Sequence, residues 1–558
     1  MVRSQVVIAG AGPVGMVLAL ELARYRVASV LVEPERQPPG YPKGNTHNAR
    51  TMEHYRRLGL AERIRAVGLP ADHPTDVAYF TSMLGHELQR LPMPSTERKL
   101  AAVAASPPTD QVPEPLHRAN QMYVERVLFD QVLATPEISC RFGWRYTGHR
   151  ETADGVRVDV EPVRRGTPET VAAGYLVGCD GPRSEVRRAL GVSYLGEDAR
   201  EQGFMSGITR SSYLRIPDLV RTAVRRPAWQ YWMLRPGAVA NLITLGDGVE
   251  YLFHCVRGEA GDDDAVRRLV TECIGAPLEI QVLDSREWIA GRALVAERYG
   301  AGRVQLCGDA VHLFTPTGGF GMNTGIDDAA NLAWKLAASV HGWAGPNLLD
   351  SYHAERRPIG VRNTRAALDL ARSIKGIPLG PVLEADTADG ARARGIAAEV
   401  LAGFAEEFAS LGIQLGARYR DSPIGWDDNS DPPADEPGNY RPSAAPGGRA
   451  PHLWLAAGRS LFDAFGPGFT LLRFTGAGGQ APGEAGEAGE AGEAGAELVE
   501  LARRRGVPLR VLDVPGELGR DLYQQEMCLV RPDQHVAWRG NRLPDPARLV
   551  DTVTGHRQ

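Results

Sequence analysis

Residues 6–33 read VVIAGAGPVGMVLALELARYRVASVLVE. Val6 to Ala9 is a short apolar run that stops at glycine, as a buried parallel strand does. From Pro13 onward Val14, Val17, Leu18 and Leu22 recur at helical spacing, and a second apolar run, Val30–Val32, ends at Glu33. Strand, glycine-rich turn, helix and strand form one βαβ unit. Gly10 permits the tight turn, Gly12 lets a pyrophosphate approach the backbone, and Gly15 allows close helix packing. The helix that opens at Pro13 supplies free N–H donors and a partial positive charge. Glu33 follows Gly15 by 18 residues and is placed to accept ribose hydroxyls. Alone such a glycine pattern is weak; in this context it predicts a dinucleotide site.

The rest of the chain sets bounds. Its 558 residues predict three or four domains. Hydrophobic residues at 43% and charged residues at 23% supply ample buried cores. A net charge of −5 gives no electrostatic footprint for a phosphate backbone, which sets nucleic acid aside. Cys140, Cys179, Cys255, Cys273, Cys307 and Cys528 are scattered with no C-x-x-C pair, a spacing suited to a reducing cytoplasm and to neither a zinc knuckle nor a redox dithiol. No apolar run approaches the roughly 18 residues of a spanning helix, so no membrane partner is expected. Arg3 and the apolar stretch to Leu22 imitate a signal peptide, but the glycines explain that stretch better.

Further along, an irregular Pro-rich stretch covers about 72–115, with weak strands around 76–80. A helix is expected near 121–132, and strand-like segments over 141–177 and 203–290. Val304–Cys307 reads as a strand, followed by a glycine loop and a helix from about Asn323 to Val340. Asp, Pro, Gly and Ser crowd from Asp427 to Gly448 and mark a boundary. Beyond it, Phe469–Phe474, Leu509–Leu512 and Met527–Val530 read as strands and Leu498–Arg505 as a helix. The repetitive Gly483–Gly495 run reads as an acidic, poorly ordered surface loop.

Two more motifs bear on chemistry. Gly178-Cys179-Asp180-Gly181 follows an apolar segment; alone, Asp-Gly at a strand end is an ordinary turn, though Ser184 can cap a following helix that carries Arg187. Gly308-Asp309-Ala310-Val311-His312 runs on through Pro316, Gly319, Gly321, Met322 and Asn323 into the long helix. There Asp309 can hold the hydroxyls of a ribityl chain, the glycines let backbone amides reach a flat ring, and the helix N-terminus favours a reduced, anionic flavin. His312 reads as structural.

Those motifs, in this order and at these separations, resemble the class A flavoprotein monooxygenases typified by para-hydroxybenzoate hydroxylase and phenol hydroxylase. Asn48-Ala49-Arg50-Thr51-Met52-Glu53, Gln121 with Glu125, and NLLDSYHAERRP at 347–358 add to the likeness. Leu529–Asp533 and Val536–Arg539 resemble the thioredoxin-like domain of phenol hydroxylase and actinomycete polyketide hydroxylases. The resemblance implies an α/β fold: a Rossmann-like FAD-binding domain (1–72, 116–187 and 290–365), an inserted mixed-sheet substrate domain (73–115 and 188–289), a helical segment and linker (366–439), and a thioredoxin-like domain lacking C-x-x-C (440–558). That last domain is expected to serve packing or homodimerisation.

The resemblance also implies FAD as cofactor, NADPH or NADH as co-substrate, and hydroxylation of a small-molecule aromatic, phenolic or polyketide-type, through a flavin C4a-hydroperoxide. It places Arg50 and Gln121 along the FAD and has Asp180 shared between FAD and the nicotinamide. Pro42-Lys43-Gly44 departs from the Pro-Arg-Ala of many relatives, and Asn45 aligns with an acidic residue of phenol hydroxylase, leaving the base unassigned. His47, Asn48, Tyr231 and His254 are weak pocket candidates, each equally at home as a loop or core residue. Trp229 and Trp232 read as core or cavity wall. Epoxidation, Baeyer–Villiger insertion or halogenation on the same scaffold, or a non-catalytic flavin-binding scaffold, are the alternatives.

Overall fold

The apolar run that opens the chain becomes the strand Val2–Ala9, flanked in parallel by Ser29–Glu33 and Glu169–Gly178. Val304–Leu306 and Ile138–Phe142 extend the parallel sheet on either side. A computed structural model describes residues 2–198, 207–257, 262–290, 292–373, 379–475 and 493–557. Against this sheet lie the helix Pro13–Arg24 and the long helix Phe320–His341, whose Ile326, Ala329, Leu332 and Ala333 share one core with Met16, Val17 and Leu18. The long helix starts three residues before the expected Asn323, because Gly319, at φ +65°, already turns the chain into it.

The second layer is a seven-stranded mixed sheet ordered Gln281–Ala290, Gly207–Arg215, Glu250–Arg257, Ala238–Leu245, Gln230–Arg235, Val77–Phe80 and Glu87–Leu91. Alternation sorts its side chains cleanly. Tyr231, Met233, Leu242 and Phe253 pack with Val266 and Val270 of the helix Asp263–Ile274. Trp232, Leu234, Ile243 and Leu252 face the other way, toward Leu401 and Phe404. Those two residues belong to the 366–439 stretch, expected to be a helical segment and linker. Its helices Ala388–Ala402 and Ala405–Phe408 cover this second face. Within the stretch read as irregular, Thr96–Ala104 is helical, capped by Ser95, whose hydroxyl accepts the Arg98 N–H.

The C-terminal sheet is ordered Leu509–Pro515, Phe469–Thr475, Met527–Val530 and Val536–Gly540, with the first two parallel. Phe469, Leu471, Leu529 and Trp538 bury one face against Trp334, Ala338 and Trp343. Most of the Gly483–Gly495 run lies outside the described residues, and its last three residues already belong to the helix Glu493–Arg504. Among the described residues no helix is long and apolar enough to cross a membrane.

Charge as well as apolar area joins this domain to the long helix. Arg531 bonds Glu355 at 2.5 Å and Asp533 at 2.7 Å, and Lys335 bonds Glu355 at 2.6 Å, all buried. Arg356 bonds Asp327 at 2.5 Å and Asp328 at 2.7 Å. Burial opposes ionisation of Asp327, Glu355 and Asp533, yet the arginines around them hold these carboxyls below their ordinary range.

Candidate nucleotide and substrate site

Three strand ends converge. Gly10 N–H donates to Val32 O (2.8 Å), Cys179 N–H to Ala9 O (2.7 Å) and Cys307 N–H to Gly178 O (2.9 Å). The glycine turn, the Asp-Gly motif and the Gly-Asp-Ala motif are therefore neighbours along one edge. Gly10, at φ +102°, could not carry a Cβ without striking the Cys179 carbonyl, and a Cβ on Gly15 would strike Gly10 O. A Cβ on Gly12 would meet no protein atom within 4 Å. Only at Gly12 is the crowding absent, which fits backbone left open to an approaching phosphate. Among the described residues no side chain caps the Pro13–Arg24 helix, which leaves its first N–H groups open to an anion.

Glu33 sits over this turn, accepting the Ala11 N–H at 2.7 Å and the Glu35 N–H at 3.1 Å. Asp309 lies in the 3₁₀ turn Gly308–Ala310. Burial raises the carboxyl pKa of Glu33, Glu125 and Asp309, and the nearby Lys43 ammonium draws each back down. Lys43 is the central cation here, a residue that sequence reading noted only as a departure from Pro-Arg-Ala. Gln121 closes this side, donating from Nε2 to Glu125 at 2.6 Å while its backbone N–H meets Gly44 O at 2.7 Å. Asp180 accepts the Glu185 and Val186 N–H groups at 2.7 and 3.1 Å, which fixes the following turn. Tyr194 ties the two acidic motifs together: its hydroxyl donates to Asp309 O at 2.6 Å and its ring carries the Arg187 guanidinium 3.9 Å from the centroid.

The loop after Pro316 is held open by Gly318 (φ +77°) and Gly319 (φ +65°), and the long helix has no side-chain cap. The N–H groups of Phe320, Gly321 and Met322 thus have no intrahelical partner. The Asn323 side chain stitches the loop: Nδ2 donates to Thr46 O and Gly319 O, and Oδ1 accepts the Asn48 N–H. His312 is structural, bonded to Asp328 at 2.7 Å.

Several expected site residues are engaged by protein partners. Arg50 spends its guanidinium on Asp327 (3.2 Å), Glu53 (2.9 Å), Gln534 (2.7 Å) and Asp533 O (2.8 Å), joining domains. Asn48 caps the helix Ala49–Arg57 through Thr51 N–H. His47 is buried against Tyr55, and that burial, with His117 beside it, pushes its pKa down to about 3. Tyr231 points into the opposite core, its hydroxyl accepting the Ala228 N–H. Asn45 is locked to Asn120 at 2.8 Å. His254 does lie on the sheet face turned toward the covering helices, bonded to Ser211 Oγ at 2.6 Å.

Register aligns a rung across that face: Tyr79, Trp232, Asn241, His254 and Ser211 stand opposite one another on successive strands. Below it, near the 316–319 loop, Arg118 stacks on Trp229 at 3.8 Å and donates to Thr46 Oγ1. Arg118 was not expected, because the short strand His117–Arg118 has no local signature.

A cleft with a glycine turn, an acid ending the next strand, a second acid after a strand and an open helix N-terminus defines a flavin-nucleotide protein. Comparison with known proteins gives the rest. Residues 3–367 match the family described as FAD binding domain, and residues 443–555 the aromatic-ring hydroxylase C-terminal domain. The FAD-dependent monooxygenase apdD of Emericella nidulans is 31% identical over 99% of this chain and 90% of its own. The 2,4-dichlorophenol 6-monooxygenase of Cupriavidus pinatubonensis is 31% identical over 100% and 96%. The solved structure of RebC with bound 7-carboxy-K252c superposes with a TM-score of 0.86 at 36% identity, covering 100% of both chains. The chain belongs to the FAD-binding-domain family of aromatic-ring monooxygenases. It is an FAD-dependent monooxygenase that hydroxylates aromatic compounds with NAD(P)H and O₂.

Proposed function

We propose that this enzyme hydroxylates a polycyclic aromatic carrying a phenolic hydroxyl, bound between the Trp232–Asn241–His254 face and the 316–319 loop. The observation that carries this reading is the rung itself. Five strands at ~4.8 Å spacing give a face ~19 Å wide, room for several fused rings. Aromatic and aliphatic residues supply most of that face, and Asn241 Oδ1 is buried there with no hydrogen-bond partner among the described residues. Pockets of this composition hold flat apolar ligands and orient them through a few polar groups.

In the same reading Gly12, Pro13 and the helix N-terminus hold the FAD pyrophosphate with Lys43 beside them. Glu33 takes the ribose, Asp309 the ribityl chain, and the amides of Gly321 and Met322 the ring edge. FAD bound there supplies the electron transfer from NAD(P)H and the activation of O₂. The protein's share is to orient the ring and exclude water. A thioredoxin-like C-terminal domain, supported by its β-α-β-α-β-β-α order, serves packing; homodimerisation and a cytoplasmic location complete the reading. The test is to compare phenols of one to four rings for acceleration of NAD(P)H-driven flavin reduction, and to trace ¹⁸O₂ into product. Four-ring phenols should accelerate reduction most and leave one label as hydroxyl. A preference for single-ring phenols would sink the substrate class, and label in a lactone would replace hydroxylation by ring insertion.

A further inference from the structure

The position aligned with an acid in phenol hydroxylase is Asn45, tied into a structural hydrogen bond, so any base must come from elsewhere. One half-buried acid meets the 316–319 loop. Glu407, on the short helix Ala405–Phe408 that covers the sheet face, accepts the Gly318 N–H through Oε1 at 3.2 Å. Its second oxygen takes no hydrogen bond among the described residues.

The surroundings are those of a polar ligand. Arg118 is buried, and its Nε has no partner among the described residues. Thr317 Oγ1, one residue before Gly318, is likewise buried and unpartnered. Native proteins rarely leave such atoms unsatisfied, and each costs ~1–3 kcal/mol if nothing arrives to meet it. Trp229 lies flat beneath Arg118 and edge-on to Phe408 at 6.2 Å, walling the spot with aromatic surface.

We propose that Glu407 is the base that takes the phenolic proton of the substrate, and that Arg118 holds the phenolate so formed. The proposal rests on the hydroxylase reading above. In the step, the phenol O–H bond breaks and its electron pair stays on oxygen. The proton forms an O–H bond with the free Glu407 oxygen and leaves to water when product departs. Charge on the ring oxygen raises electron density at the ortho and para carbons, where an electrophilic oxygen attacks.

The electrostatics agree. Burial pushes the Glu407 carboxyl up to about 7, against the opposing Gly318 N–H and Arg118 charge. Burial takes Arg118 down to about 9, with Glu407 the acid that supports its charge. Tyr79, the other ionisable group facing Glu407, is raised by burial and by that carboxylate, so it stays neutral. A base must be ionised to act, so activity should rise as pH climbs through about 7.

The test uses FAD-loaded enzyme and 1-hydroxypyrene, a four-ring phenol whose absorbance moves to longer wavelength on ionisation. Wild type should show bound phenolate at pH 7.5 and lose it below pH 6. Glu407→Gln with normal FAD content should bind neutral 1-hydroxypyrene at pH 7.5. Its substrate-stimulated NAD(P)H oxidation should fall ~100-fold or more, with the acid limb near 7 gone. Glu407→Asp should restore ionisation and most of the rate. If Glu407→Gln fails to fold, the wild-type titration and the Asp variant decide: no transition between pH 6 and 7.5, or none displaced by Asp, overturns the proposal. An unchanged phenolate signal or rate in Glu407→Gln overturns it while leaving the hydroxylase reading intact. A wild-type holoenzyme that binds no 1-hydroxypyrene sinks both.

Discussion

Replacing Gly12 by alanine separates the nucleotide cleft from the fold. The Gly12 backbone, at φ −66° and ψ 179°, is one any residue adopts, and a Cβ there touches no protein atom within 4 Å. The apoprotein should therefore melt as the wild type does. The nucleotide should not tolerate the change. A phosphate approaching Cα to the usual ~3.5 Å contact must retreat by ~1 Å or more when a Cβ stands ~1.5 Å out from that Cα. Hydrogen bonds of ~2.9 Å from the helix N-terminus then stretch beyond ~3.5 Å, where they no longer count. Losing two charge-assisted bonds at ~1.5–3 kcal/mol each weakens FAD by ~3–6 kcal/mol, a hundredfold or more in Kd. Flavin-fluorescence titration of apoprotein measures this, with urea melts of the same samples as the control. Gly10→Ala is the contrast: at φ +102° and against Cys179 O, it should destabilise the apoprotein by ~2 kcal/mol or more. Gly12→Ala binding FAD like wild type would refute the placement of the pyrophosphate at this turn.

Asp309→Asn should weaken FAD by about tenfold, the loss of ~1.5 kcal/mol from a charge-assisted bond, with unchanged melting; equal affinity in a titration would remove Asp309 from the site. Arg50→Ala takes one of two arginines from both Asp327 and Glu53, which keep Arg356 and Arg449, and should cost ~1.5–3 kcal/mol in urea unfolding; loss of FAD without loss of stability would place Arg50 at the cofactor. Burial depresses His47 to about 3 and His54, His117, His254 and His452 to about 4, so between ~6.5 and 4 only the unfolded chain protonates them. Their stabilising contribution is full above ~6.5 and is lost as pH falls, by up to ~1.4 kcal/mol per histidine per pH unit, and stability that is flat from pH 7 to 5 in urea melts would contradict it.

The residues legible in sequence act through their own backbone. Gly10, Gly12 and Gly15, the loop glycines and the strand-end acids declare themselves because a turn or helix start demands that residue type at that place. Tyr231 shows where this stops: strand propensity marks the segment, but register decides the face, and a one-residue difference gives the helix-covered rung to Trp232. Arg50 shows a different limit, since a resemblance transfers a position but not the partners waiting there. Lys43, Tyr194, Arg118 and Glu407 come from four separate elements, and each gains meaning only from neighbours distant in the chain. The cover formed by 388–408 was illegible because a short, Ala-rich helix looks the same whether solvated or pressed on a sheet.

The ionic lattice running from His312 through Asp328, Arg356 and Asp327 to Arg50, Asp533 and Arg531 limits how this enzyme can be rebuilt. Exchanging its last hundred-odd residues for those of a cousin would import Trp538's oily surface successfully and still fail if the incoming loop lacked an equivalent of Asp533 and Arg531. Shuffled hybrids should therefore survive only when crossover points carry both halves of that lattice together.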